Sequence, residues 1–255
     1  MSGERLDGTV ALVTGASSGI GEATAQVLAE EGAAVALAAR RVDRLQELAS
    51  TIEEKGGRAL VIETDVTDEA QARAAVEQTV AELGRLDTVI NNAGVMLLGP
   101  AESAPLEEWE RMVSLNVLGV LYTTHAALPH LLASVESSPR GVADLVNISS
   151  VAGRVARVGS SVYNLSKWGV GAFTESLRQE FTKRHLRISV VEPGAVRTEL
   201  GSHVREEVRA ASLSRFKDVE ILHAEDIADA ISYIITRPRR VAINELLVRP
   251  TEQEG

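Results

Sequence analysis

The sequence predicts an α/β protein: one domain over residues 1–255, with a doubly wound parallel sheet of seven strands and helices on both faces. Short apolar runs rich in Val, Ile and Ala alternate with amphipathic stretches of helical period along almost the whole chain. The first of these runs passes through a glycine-rich loop straight into a helical pattern. No repeat, low-complexity stretch or Pro/Gly-rich linker divides the 255 residues.

Composition narrows the function. A formal net charge of −10 argues against nucleic acid and anionic membranes as partners. The absence of cysteine rules out disulfides, thiolate metal sites and a cysteine nucleophile. Five scattered histidines show no ligand spacing, so no metal is expected. Residues Met1 to Gly8 are polar and no apolar run reaches membrane-spanning length, so a cytoplasmic protein is expected.

Thr9 to Thr14 reads as a buried strand, and Glu22 to Glu31 as a helix. Between them, Gly15, Ser17, Ser18, Gly19, Ile20 and Gly21 form a candidate phosphate loop. Gly15 permits the tight turn, Gly19 lets backbone approach a pyrophosphate, and Gly21 allows close helix packing. The helix start offers free N–H groups and a positive dipole end. A plain strand-to-helix turn is the alternative. Gly32 closes the helix, and Ala34 to Ala39 is the second strand. Dinucleotide folds place an acid at this strand's end for a ribose 2′-hydroxyl, or an Arg for a 2′-phosphate. Here Ala39 stands at the acid's position and Arg40 and Arg41 follow. NADPH/NADP+ is therefore the expected cofactor, with Arg40 the principal phosphate ligand and Arg41 the second. Solvated charges at a helix start are the alternative.

Val42 to Lys55 is an amphipathic helix and Arg58 to Glu63 the third strand, with Asp65 and Val66 at its end. Asp68 suits the cap of the next helix. Asp87 to Asn91 is the fourth strand, followed by Asn92, Ala93 and Gly94. The apolar Val95 to Leu98, including Met96 and Leu97, reads either as a substrate wall or as core. Pro105 to Leu132 is a long helical region with Asn116 inside it, where Asn faces solvent or distorts the helix. Val135 to Gly141 reads as a surface loop, and Leu145 to Ile148 as a buried strand that delivers Ser150.

Tyr163 and Lys167 stand four residues apart in a helical pattern marked by Val162, Leu165, Val170, Phe173 and Leu177, so phenol and ammonium share a face. A phenol of pKa about 10 is too weakly acidic to serve near neutrality unless a cation lowers that value. Ser150 then hydrogen-bonds a substrate oxygen while Tyr163 gives or takes its proton. Arg187 to Glu192 is the sixth strand, ending at Pro193 and Gly194. Leu200 to Val219 mixes charged and apolar residues. Ala224 to Thr236 is a helix opened by Glu225 and Asp226, and Glu245 to Val248 is the last strand.

The Gly15-x-x-x-Gly19-x-Gly21 loop, the Asn91-Asn92-Ala93-Gly94 phrase and the Ser150, Tyr163, Lys167 trio stand in the order of the short-chain dehydrogenase/reductase family, which the chain resembles over nearly its whole length. The resemblance implies a Rossmann-type fold and an oxidoreductase acting on CH–OH or C=O groups. It implies that Asp65 hydrogen-bonds adenine and Val66 packs on the ring, and that Asn92, Ala93 and Gly94 border the ribose. Pro193, Gly194, Val196 and Thr198 then shape the nicotinamide site. Asn116, in Leu115-Asn116-Val117-x-Gly119, completes a catalytic tetrad by holding a water that links Lys167 to solvent. Residues 200–219 become a variable substrate lid, and a homotetramer or dimer is implied. Residues 91–100, 38–41 and 244–251 are similar to a bacterial NADPH-dependent subgroup that includes clavulanate-aldehyde reductase and 3-hydroxy-acid dehydrogenases. The expected reaction is carbonyl reduction, with Tyr163 as proton donor and Ser150, Met96, Leu97 and Arg154 toward a small-molecule substrate. Arg154 or Arg157 suits a substrate carboxylate, or else solvent or a subunit contact. Oxidation of a hydroxy acid or alcohol is the second reading. A non-catalytic NADPH-binding regulatory or structural protein is the third.

Overall fold

The computed structural model describes residues 6–209 and 219–254. Residues 210–218 of the expected lid, and Met1 to Arg5 of the N-terminal segment, lie outside the described residues. Seven strands form one sheet: β1 (Val10–Thr14), β2 (Ala34–Ala39), β3 (Arg58–Glu63), β4 (Thr88–Asn91), β5 (Ala143–Ile148), β6 (Leu186–Pro193) and β7 (Glu245–Val248). Their spatial order is β3-β2-β1-β4-β5-β6-β7. Every neighbouring pair is parallel. Chain order reverses between β1 and β4, so their C-terminal ends flank a crevice where doubly wound sheets bind ligands.

The inner strands are buried because helices cover both faces, while the edge strands β3 and β7 stay partly exposed. On one face α1 (Gly19–Glu30), α2 (Val42–Glu54) and α7 (Ala224–Ile235) seal a core of Val13, Leu28, Leu37, Leu45 and Ile231. On the other, α3 (Glu69–Leu83), α5 (Gly119–Ser137) and α6 (Ser161–Phe181) cover Leu12, Val76, Val89, Leu131, Leu145 and Phe181. Asp68 caps α3 as expected, accepting from the Gln71 N–H at 3.0 Å.

Two local expectations change. The long helical region divides into α4 (Leu106–Val113), a π-helical turn over Ser114–Leu118 and α5. The turn is widened around Asn116, whose side chain binds outside the helix ladder, so distortion prevails over solvent exposure. Next, α5 continues to Ser137, so the predicted loop at Val135 starts later. Its small and polar residues satisfy one another there, with the Ser134 hydroxyl donating to the Leu131 carbonyl. The apolar residues of α6 divide between core and surface. Val170 is buried, but Leu165 and Trp168 stay 64% and 51% exposed.

Below the sheet's midline sits a buried ion cluster. Asp144 on β5 accepts from Arg187 at 2.7 and 2.9 Å and from Arg140 at 2.9 Å. Both guanidiniums also donate to the Ile235 carbonyl at the end of α7. Removing one partner from such a cluster leaves buried charge uncompensated. Asp144→Ala should therefore cost about 3–5 kcal/mol in chemical denaturation, and a loss under 1 kcal/mol would show that solvent or carbonyls replace the carboxylate.

Candidate active site

The crevice begins with the loop after β1. Gly15 and Gly19 adopt left-handed backbone, with φ of 65° and 58°, a region that side-chain-bearing residues rarely enter. Asn92, just past β4, holds this loop. Its Nδ2 donates to the carbonyls of Thr14 and Gly15 at 3.0 and 3.2 Å. The Thr14 hydroxyl accepts from the N–H groups of Asn92 and Ala93 at 3.0 and 3.2 Å. A methyl at Gly21 would overlap the Gly15 carbonyl oxygen and the Asn92 amide, so the helix seats against the loop only with glycine there. The start of α1 accordingly points its free N–H groups into the crevice.

At one end of the crevice lie Arg40, Arg41, Asp65 and Val66. Arg41, expected as the secondary ligand, is the one tied to the loop. Its Nε donates to Ser17 Oγ at 3.1 Å, its Nη2 to Ser18 Oγ at 2.7 Å, and its Nη1 pairs with Glu199 at 2.8 Å. Arg40 is more exposed and stands 3.8 Å from Asp65. The Asp65 carboxylate accepts from the N–H and hydroxyl of Thr67 at 3.0 and 2.7 Å.

At the other end, Ser150, Tyr163 and Lys167 meet as the spacing predicts, all buried in the crevice wall. Ser150 follows β5 with extended backbone, and its Oγ accepts from the Ala152 N–H at 3.1 Å. It also hydrogen-bonds the Tyr163 hydroxyl. The Lys167 ammonium donates to the Ile148 carbonyl at 2.9 Å and lies 5.8 Å from the Tyr163 ring centre. Burial pushes the Tyr163 phenol above its ordinary value, while the Ser150 hydrogen bond pulls the other way. That net direction is opposite to the lowering by Lys167 that the sequence predicts. Burial lowers Lys167 itself to about 8.

Asn116 lies in the π turn and is 1% exposed. Its Oδ1 accepts from the Val95 N–H, and its Nδ2 donates to the Val95 carbonyl, both at 2.8 Å. The second Nδ2 hydrogen reaches Ser166 Oγ at 3.2 Å. The amide is thus given mainly to Val95, leaving one acceptor position on Oδ1 for a water. Pro193, Gly194, Val196 and Thr198 line the crevice near Ser150 and the glycine loop.

Other expected residues stand elsewhere. Leu97 is buried in a cluster with Val95, Met112 and Tyr163, and Met96 packs against it, so both support the Tyr163 side from the core. Arg154 does not line the crevice. Its Nε donates to both oxygens of Glu192 at 2.8 Å, and its Nη2 reaches Glu245, so two carboxylates already take its fork. The backbone N–H of Arg157 donates to Asn164 at 3.2 Å. Sequence reasoning missed Glu199, which lines the crevice beside Arg41, while Leu200 and His203 in the same wall belong to the expected lid. The signal for Glu199 was the Thr198 cap: its hydroxyl accepts from the Leu200 N–H at 3.3 Å and starts a 3₁₀ turn over Glu199–His203.

A glycine loop, an arginine pair and a buried Ser-Tyr-Lys group along one crevice at the sheet's switch point define a dinucleotide-dependent oxidoreductase. The residues suit the cofactor on structural grounds: left-handed glycines bare the backbone where a pyrophosphate would lie, and two guanidiniums face the position beyond it. A sequence profile described as short chain dehydrogenase matches residues 9–209. The chain is 38% identical over 249 residues to an uncharacterised oxidoreductase of Staphylococcus saprophyticus, covering 96% of each protein. It is also 39% identical over 248 residues to the glycine betaine reductase ATRR of Emericella nidulans, covering 97% of this chain but only 19% of that longer protein. Among solved structures it is similar to the closed form of a serine dehydrogenase complexed with NADP+, with TM-score 0.85, 30% identity and 97% coverage of both chains. The protein belongs to the short-chain dehydrogenase/reductase family. Among the described residues no helix is long and apolar enough to cross a membrane, and no cluster of three or more metal-ligating side chains occurs.

Lys167 gives this site a pH signature. Its folded-state value of about 8 lies below the ordinary 10.5, so between the two the unfolded chain binds more protons and stability rises with pH. The full cost of burying the ammonium is carried below pH 8. Relative to Lys167→Met, the wild type should gain on the order of 2 kcal/mol in chemical denaturation between about pH 8 and pH 10. A pH-independent difference would mean that Lys167 titrates normally in the folded protein.

Proposed function

We propose that the protein reduces an aldehyde or ketone to an alcohol with NADPH. The observation that carries this reading is the hydrogen-bonded pair of buried hydroxyls, Ser150 and Tyr163, beside the Lys167 ammonium in the crevice that holds the glycine loop and arginines at its other end. Ser150 donates to the carbonyl oxygen of the substrate and fixes its orientation. Tyr163 protonates that oxygen as charge develops on it. The bound nicotinamide supplies the hydride. Lys167 holds the ribose hydroxyls beside the phenol. Its ammonium favours the phenolate once the proton has left and offsets the burial that disfavours it. Asn116 fixes Val95 and Gly94 next to Lys167, and a water on its free acceptor position returns the proton from solvent.

NADPH is preferred in this reading because Ala39 offers no carboxylate to a 2′-hydroxyl, while Arg40 and Arg41 offer two guanidiniums to a 2′-phosphate. The NADP+ complex of the serine dehydrogenase supports the same choice. Val95 and Leu115, the apolar residues that line the crevice beside Tyr163, suit a substrate with an apolar flank, as in the aldehyde-reducing subgroup that the sequence resembles. Assembly as a dimer or tetramer through α6 is supported by the exposed Leu165 and Trp168. The acidic, cysteine-free composition is the support for a cytoplasmic enzyme.

Tyr163→Phe should lower turnover by about 10²–10⁴ while NADPH still binds, since only the proton transfer is removed. Initial rates over a panel of aldehydes, ketones and keto acids, with NADPH and NADH side by side, provide the test. Wild-type rates in the Phe variant would remove Tyr163 from the reaction. Equal efficiency with the two cofactors would remove the arginine pair from selectivity.

A further inference from the structure

Each arginine of the cofactor crevice already has a carboxylate partner. Arg40 stands 3.8 Å from Asp65, and Arg41 is held at 2.8 Å by Oε2 of Glu199. The other oxygen of Glu199 is 2.7 Å from Arg44 Nη1, one helical turn beyond Arg41 on α2. Glu199 opens the 3₁₀ turn capped by Thr198, whose methyl packs against Gly19 of the phosphate loop. Its carboxylate is therefore placed by the crevice wall and lines the crevice itself. The two guanidiniums hold it well below the usual carboxylate range, at about 2, so it is ionised at any working pH.

The charge count at this spot decides how a phosphate is received. Arg41, Arg44, Glu199 and nearby Glu22 together carry no net charge. A dianionic 2′-phosphate that approaches Arg41 meets the Glu199 carboxylate at the same guanidinium. Like charges across one donor repel, and Glu199 must give up Arg41 before Arg41 can bind the newcomer at full strength. Arg44 makes that exchange inexpensive, because Glu199 keeps a cationic partner while Arg41 changes hands. A cofactor without the 2′-phosphate requires no exchange.

Resting on the NADPH reading above, we infer that Glu199 is a specificity-determining residue: a built-in competitor for Arg41 that weakens 2′-phosphate binding and sets the margin between NADPH and NADH. The usual account of such a site counts the arginines, and here the opposing carboxylate matters equally.

The test is isothermal titration calorimetry of the full-length protein with 2′,5′-ADP and 5′-AMP, which differ only in the 2′-phosphate. Glu199→Gln should tighten 2′,5′-ADP about threefold to tenfold and leave 5′-AMP within about twofold. Glu199→Asp, which keeps the charge, should stay near wild type for both. The gain should vanish in an Arg41→Gln background, because the two residues act on one group. Unchanged or weaker 2′,5′-ADP binding in Glu199→Gln overturns the inference, as does a gain that persists without Arg41. If Glu199→Gln does not fold, Glu199→Ser supplies the neutral side chain, with the same expected results. Wild-type protein that binds the two nucleotides equally would instead refute the NADPH reading itself, a result separate from any effect at Glu199.

Discussion

The side-chain amide of Asn92 is the tie on which the crevice depends. A doubly wound sheet parts its loops at the switch point, and the ends of β1 and β4 would otherwise leave carbonyls and N–H groups without partners in a partly buried place. Asn92 and the Thr14 hydroxyl close that gap with four hydrogen bonds. The same strand ends carry a second, deeper set: Asn91 donates to Thr124 and Asn147, and Asn147 donates to Thr174, joining β4 and β5 to α5 and α6. The loop and the Ser-Tyr-Lys group thus sit on one hydrogen-bonded frame. Hydrogen bonds between buried side chains of this kind restrain the strand ends and helices they join, which suits a site that has to align two reacting molecules.

Much of this was legible in the sequence because its signals are local. Strand, glycine loop and helix occur in one contiguous stretch, and Tyr163 and Lys167 share a helix, so spacing alone brought them together. All seven strands were anticipated within a residue or two at most ends. What escaped involves contacts distant in sequence. Nothing near Arg41 announces Glu199, which lies beyond four intervening strands. Arg154 reads as a free cation beside Ser150, yet Glu192 and Glu245 arrive from β6 and β7 to claim it. The π turn is equally invisible to periodicity, because one extra residue in a long apolar helix looks like ordinary irregularity. The depth of Tyr163 also reversed the expected sign of its pKa change, since burial is a tertiary property that a Tyr-x-x-x-Lys spacing does not carry.

Charge in this crevice is arranged in opposed pairs more than in a single positive field. Arg40 faces Asp65 and Arg41 faces Glu199, within a chain of net charge −10. Anionic cofactors therefore gain little from long-range attraction and depend on short-range geometry: N–H groups of the loop, a helix start and a guanidinium at the right distance.

The π turn has a consequence for how this helix can vary. Each residue of an α-helix advances the azimuth by about 100°, so one surplus residue rotates everything downstream by roughly that angle. Here the rotation lets a single rod serve two masters. Before the turn, Met112 packs toward the cluster behind Tyr163, and after it Ala127 and Leu131 pack against the sheet. Residue 116 is the pivot between those phases. A change in length anywhere from 114 to 118 would not be a local scar, because it would swing one half of the rod out of phase with its neighbours. Insertions are absorbed far more readily at the surface turns than in this segment, where chain length itself encodes the alignment.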